Sequence, residues 1–462
     1  MKRISTISLV ALLGAALLNF PPATAATPHV TATETQEIAA SYDHLTKEFY
    51  KKVDPQTVLN GVHRELTAAL KYKKIAATLP VPRATGDEQI DERTIDLQVE
   101  KALNEAHGQI NAETMAYVAI SGIMDSVKDH YTVFLDPREY AGLNGDLDGG
   151  DFGGTGIVIQ LDDGKRITVS NIVPDGPADK AGVQQDDLIT AIDGASTAGW
   201  TLDRASAHLR GKEGTKVTLT LVRDGKLLPT PITITREKIH ELSVYQRMLP
   251  GNIGYVILTV FGKDTSAQLR SAIAELQKKG ARAYIMDLRE NGGGYLTAAV
   301  DVSSQFIASG PIVSVEQRAS NITTFDANDT AIAPVPLAVL VNDHTASASE
   351  ITSGALQDSG VATIIGERTF GKGVVQTIFP LGDGSAVKIT TARYLTPHNR
   401  DINHVGITPD IIAAENKGAR IGIPARDAQL TRAVSFINQR LAALAAANGD
   451  TTNAPTDTPA KP

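Results

Sequence analysis

Pro336 to Ser359 reads PLAVLVNDHTASASEITSGALQDS: an apolar run, a tight polar turn and a helix-patterned stretch in immediate succession. A continuous apolar strand of this kind suits a position buried on both faces, and a strand leading into a helix is half of a parallel crossover unit. The same alternation runs upstream. IGYVIL from Ile253, then TSAQLRSAIAELQKKG, AYIMDL and LTAAVDVSSQFIA alternate strand with helix. That order implies βαβ units around a mostly parallel sheet, so the C-terminal half is expected to be an α/β core.

Outward from that core the character of the chain changes. Composition shifts at Gly145, where GDLDGGDFGGTGIVIQL begins, and short β-patterned runs follow at Gly156 to Leu161, Ile167 to Ile172, Asp187 to Ile192 and Lys216 to Arg223. With one helix near Asp203 to Arg210, they describe a small β-rich module. From Thr35 to Ser126 apolar residues recur at three- and four-residue steps, as in IAASYDHLTKEFY and LQVEKALNEAHGQI, with a break at Pro82-Arg83-Ala84-Thr85-Gly86. This region is expected to be helical, a packed cap or a surface for dimerisation.

Lys2 and Arg3, an apolar stretch from Ile4 to Leu18 and Ala23-Thr24-Ala25 form a secretory signal pattern over residues 1–25. The alternative is an uncleaved anchor, for which the apolar run is short against the roughly 20 residues of a span. Export to a bacterial periplasm or cell exterior is the expectation, membrane-associated if the signal stays in place. The chain has no cysteine, so its cores carry its stability without disulfides. A formal net charge of -8 and the lack of a basic stripe argue against a nucleic-acid partner. The tail from 447 to 462 is polar and Pro-rich and is expected to be disordered.

The turn after Leu337–Val341 carries the most chemistry. Ser347 stands where the strand hands over to a helix, and the first N–H groups of a helix point at whatever lies before it. Ser347-Ala348-Ser349-Glu350 is equally a capping box, so the serine alone is ambiguous. Lys372, in Phe370-Gly371-Lys372-Gly373, changes the balance. A serine hydroxyl becomes a nucleophile only when a base takes its proton, and a neutral amine can serve. Lys372 needs a depressed pKa for that, and burial with Phe370, Val374 and Ile378 around it would supply one. Gln376 offers an amide oxygen to orient the amine. A lysine in a glycine turn is otherwise an ordinary surface residue.

Two further motifs bear on the site. Asn291-Gly292-Gly293-Gly294 follows the strand AYIMDL, at the sheet edge where ligands bind, and lacks the GxxxxGK[ST] of a phosphate loop. A second oxyanion donor there is the better reading. Gly153-Gly154-Thr155-Gly156-Ile157 makes a nest of N–H groups suited to a peptide's terminal carboxylate, or else an ordinary turn. Ser385-Ala386-Val387-Lys388 spells serine-x-x-lysine but lies in the alternating run GSAVKITTARY, so the two face opposite sides. His344 is a weaker rival base, and no metal pattern such as HExxH occurs.

Taken together, GGTGIVI, PDGPADKAGVQQDDLITAIDG, LRENGGG, the Ser347-Ala348-Ser349-Glu350 run, ALQD and TFGKGVVQ resemble the carboxy-terminal processing, or tail-specific, proteases. The resemblance runs from about His130 to Asp410. It implies an α/β multidomain protein: a helical N-terminal region (35–144), an inserted PDZ domain (145–238) and a crotonase-like α/β protease core with a C-terminal helix (245–446). It implies a serine endopeptidase in which Ser347 is nucleophile, Lys372 general base and Gln376 the residue that positions the lysine, with no cofactor and no metal. Ala348 and Gly293 would be the oxyanion donors. The family's usual Asn-Pro-Gly-Gly is here Asn291-Gly292-Gly293-Gly294, which loosens the turn. Gly154, Thr155, Gly156 and Ile157 match the loop that binds a substrate's C-terminus. Asp358 matches a position taken as structural, and Arg210 one that can contact the core. The partners implied are protein substrates held by their C-termini, with an adaptor protein and a homo-oligomer as further expectations. The competing class is a catalytically inactive PDZ-containing peptide-binding scaffold.

Overall fold

The computed structural model describes residues 29–148, 151–161, 166–173, 176–240, 242–318, 321–415, 421–422 and 426–447. The expected signal peptide and the tail after Ala447 lie outside these residues. The chain divides into two compact units, Met1–Tyr42 with Pro55–Ser126, and Asp43–Asp54 with Val127–Pro462.

The first unit is helical. Pro55–Tyr72, Glu88–Glu105 and Ala112–Asp125 pack through Val58, Leu66, Ile95, Leu103, Ile120 and Ile123, all fully buried. Asp87 and Asn111 start the latter two helices, each accepting from an N–H three residues on.

The second unit holds four sheets among the described residues. Six strands run in the order Val244–Leu249, Ile253–Leu258, Ala283–Asp287, Leu337–Val341, Thr363–Gly366, Ile411–Ile412. The first pair is antiparallel and the rest are parallel. Every residue of Ala283–Asp287 and Leu337–Val341 is buried. Side chains alternate between faces: Met286, Val339 and Val341 pack with helices Thr265–Lys278, Leu296–Ser303 and Ala348–Asp358, while Ile285, Ala338 and Leu340 meet helix Ala428–Ala447. Helices on both faces explain why these strands read as unbroken apolar runs.

An antiparallel sheet stands beside it. The long strand Ala386–Leu395 pairs with Val133–Leu135, with Val374–Pro380 and with Pro311–Gln317, which in turn pairs with Ile322–Asp326. The β-rich module forms the third sheet around Val169, Ile189, Leu219 and Leu221. Flanking that module in sequence, Asp151–Gly154 and Glu237–His240 pair with each other as a separate two-stranded sheet. A module that closes on its own ends can sit inside a loop of another domain without disturbing it.

Candidate active site

Ser347 precedes helix Ala348–Asp358 with φ 56° and ψ −118°, a conformation L-residues avoid. Such a backbone costs about 1–3 kcal/mol and needs its surroundings to hold it. Its N–H donates to Glu350 Oε2 at 2.9 Å. Its carbonyl oxygen accepts from the N–H groups of Glu350 at 2.8 Å and Ile351 at 3.0 Å, and from the Tyr394 hydroxyl at 3.1 Å.

Glu350 does more than cap the helix. Fully buried, its carboxylate also accepts from the N–H of Lys372 at 2.8 Å, the N–H of Gly371 at 2.7 Å and the Thr369 hydroxyl at 2.5 Å. Burial pushes its carboxyl pKa up, and the four donors pull it back. Tyr394 completes a second bridge: its single hydroxyl proton is shared between the carbonyls of Ser347 and Lys372. Burial raises that hydroxyl's pKa strongly, which keeps it a donor. The backbones of Ser347 and Lys372 are thus tied together from the N–H side by one carboxylate and from the carbonyl side by one phenol.

Lys372 reaches this place through a turn that requires glycine. Gly371 has φ 88°, and a Cβ there would come within 3.0 Å of the Val405 and Gly406 amide nitrogens. The Lys372 amine lies 4.8 Å from the centre of the Tyr131 ring. Desolvation pulls its pKa down to about 8; Lys388 adds to the fall, while Glu350 and Asp129 oppose it. The apolar wall differs from the sequence expectation. Phe370 is 56% exposed, and the ring beside the amine is Tyr131, just ahead of strand Val133–Leu135.

Gln376 lies on strand Val374–Pro380, just past an irregularity in the pairing at Val375/Gln376 that sets it opposite Thr390. Its Nε2 donates to Val374 O at 3.3 Å and Thr390 Oγ1 at 3.5 Å. The glycine-rich turn meets the serine turn through Asn291. That buried side chain donates to Leu258 O at 2.8 Å and accepts from Gly293 N–H at 2.9 Å, while its carbonyl accepts from Ala346 N–H and the Ser349 hydroxyl, each at 3.0 Å. Gly293, at φ 103°, lies so close that a Cβ would be 2.8 Å from Ala348 N and from Ser347 Cβ.

Asp358 accepts from Arg400 and from His398 N–H, fastening the helix end to the following loop. His344 is mostly exposed and turned to Glu290 and Asp343, each at 3.2 Å. Thr155, Gly156 and Ile157 line a cavity of about 340 Å³ with Ile159, Leu209 and Arg210, and Tyr245 of strand Val244–Leu249 and Thr259, just past strand Ile253–Leu258, also border it. Gly154 ends the strand just before that loop.

Curated processing proteases are similar to this chain over most of its length. The chain is 41% identical over 303 residues to a carboxy-terminal-processing protease of Bartonella bacilliformis, covering 64% of this chain and 69% of that one. With a carboxyl-terminal-processing protease of a Synechocystis species it shares 37% over 304 residues, 65% of this chain and 71% of the relative. The chain belongs to the carboxyl-terminal-processing proteases. The family model Peptidase family S41 matches residues 252–413 and PDZ domain matches 147–222. A putative S41 protease from Bacteroides fragilis has the same fold, with a TM-score of 0.50 at 17% identity over 68% of this chain and 88% of that one. The protein is therefore a serine-type peptidase with a mixed α/β architecture and a PDZ domain. In this protease Tyr394, Tyr131, Asp129 and Thr390 carried no local sequence signal, whereas Glu350 was visible as the glutamate that closes the capping box, at the third helical position.

Proposed function

We propose that this processing protease is exported, captures the C-terminal end of a protein in its PDZ groove and cuts that chain with a Ser347–Lys372 dyad. The neutral form of Lys372, whose share grows as pH rises through about 8, takes the Ser347 proton as the hydroxyl oxygen attacks the scissile carbonyl. The ammonium then gives that proton to the leaving amine, and water releases the acyl group by the same route in reverse. Gln376 orients the amine. The N–H of Ala348, at the first turn of the helix, and that of Gly293 stabilise the oxyanion, the latter exchanging its Asn291 acceptor for the developing charge. The cavity bordered by Thr155, Gly156 and Ile157 suits the last residues of a peptide laid along strand Ile157–Leu161.

One observation carries the reading: an amine with a pKa near 8 has its backbone bonded through a single carboxylate to the backbone of a strained serine. Labelling with a fluorophosphonate and locating the adduct by mass spectrometry tests it. Ser347 is expected to carry the label in the full chain and to lose it in Lys372→Ala. A label on another serine, or undiminished labelling without Lys372, rules the dyad out.

A further inference from the structure

The Gln376 amide is oriented by hydrogen bonds whose polarity begins two side chains away. Asp129 Oδ2 accepts from the Thr132 hydroxyl at 2.7 Å and from the Thr390 hydroxyl at 2.5 Å. Thr132 Oγ1 in turn accepts from Thr390 N–H at 3.1 Å, so its own proton is also directed at Asp129. A carboxylate only accepts, and a threonine hydroxyl has one proton to give. With that proton committed to Asp129, Thr390 Oγ1 can only accept from Gln376. The nitrogen side of the amide must then face Thr390, and Oε1 becomes the acceptor on the opposite edge.

Building on the dyad reading, we infer that Asp129 and Thr390 are positioning residues that lock the Gln376 amide with its oxygen available to the Lys372 amine. An amide rotated by half a turn would present an NH2 to the amine, and two donors facing each other cannot bond. The arrangement draws on three stretches: the segment before Val133–Leu135, strand Val374–Pro380 and strand Ala386–Leu395. Thr390 is fixed on its backbone as well, since its carbonyl accepts from Tyr50 N–H at 2.9 Å.

The test measures the rate of Ser347 phosphonylation by a fluorophosphonate in the full-length protein, at a pH well above the Lys372 pKa of about 8, so that charge effects on that lysine are silent. Thr390→Val, nearly equal in shape, is expected to slow labelling about 10²-fold, the scale of a misplaced catalytic group. Thr390→Ser keeps the hydroxyl and restores most of the rate. A residue acting through Gln376 has nothing left to do once Gln376 is gone, so Thr390→Val adds no loss to Gln376→Ala. Asp129→Leu, which removes the acceptor altogether, follows the same cycle and takes its place if the valine variant does not fold. Wild-type labelling in both Thr390→Val and Asp129→Leu, or a loss that persists in full on Gln376→Ala, overturns the inference. The dyad fails separately: there Lys372→Ala itself would label normally, whereas here only the Thr390 and Asp129 variants would.

Discussion

The two halves of the proposed active site are built on opposite plans. Ser347 sits at the end of a parallel strand, in a turn where Asn291, Glu350 and Thr345 satisfy backbone and side-chain groups alike. Lys372 stands at the start of an antiparallel ribbon, with its backbone bonded to Glu350 and Tyr394 but its amine beside a ring and a second cation. In the proposed dyad the contrast follows from what each group must do. A nucleophile has to hold one direction against backbone strain, which takes many hydrogen bonds. A lysine base has to be neutral, which takes desolvation and few partners for an ammonium. Glu350 belongs to both halves and lets each keep its own chemistry.

That contrast can be broken from the lysine side first. A pKa lowered from 10.5 to about 8 means that the fold prefers the neutral amine. The unfolded chain binds the proton more tightly, so stability rises with pH between about 8 and 10.5, and below 8 the full penalty applies. Lys372→Met, an apolar side chain of similar length, is expected to stabilise the protein at neutral pH by up to about 3 kcal/mol while abolishing activity. Melting curves across pH check this: the gain should be greatest below pH 8 and fade as pH approaches 10.5. Equal stability at all pH values would mean the amine is well solvated.

Glu350→Gln strikes both halves at once. One acceptor oxygen then faces four former donors and an NH2 opposes some of them, leaving buried groups unpaired at about 1–3 kcal/mol each. Activity should fall about 10²-fold, since Ser347 and Lys372 lose their common anchor. Ser347 labelling and melting temperature should drop together. A labelling rate unchanged from wild type would show that Tyr394 suffices. The smallest effect belongs to Lys388, which the sequence placed in a misleading serine-x-x-lysine pattern. Its positive charge helps to depress the Lys372 pKa, so Lys388→Met should move the acid limb of the pH–rate profile upward. A downward shift or none would remove Lys388 from the account.

Sequence carried the local half of this structure and little of the other. The unbroken apolar strands, the turn at Ser347 and the glycines around Lys372 and Gly293 are readable because each depends on neighbours in the chain. Strands such as Ile167–Ile172 and Lys216–Arg223 fall where alternation puts them. The environment of the base is different. Thr390 and Asp129 are 261 positions apart, and Tyr131 reaches the amine because Val133–Leu135 pairs with Ala386–Leu395. No period or motif announces such a meeting. Phe370, adjacent in sequence, was the natural candidate for the apolar wall and instead faces solvent.

The central claim is that a neutral lysine activates Ser347, and the pH dependence of Ser347 phosphonylation tests it most directly. In the wild-type protein the rate should climb with pH along a limb centred near 8 and then level off as Lys372 becomes neutral. A limb at about 6.5, the ordinary range of an imidazole, that survives in Lys372→Ala would contradict the account and point to a histidine instead.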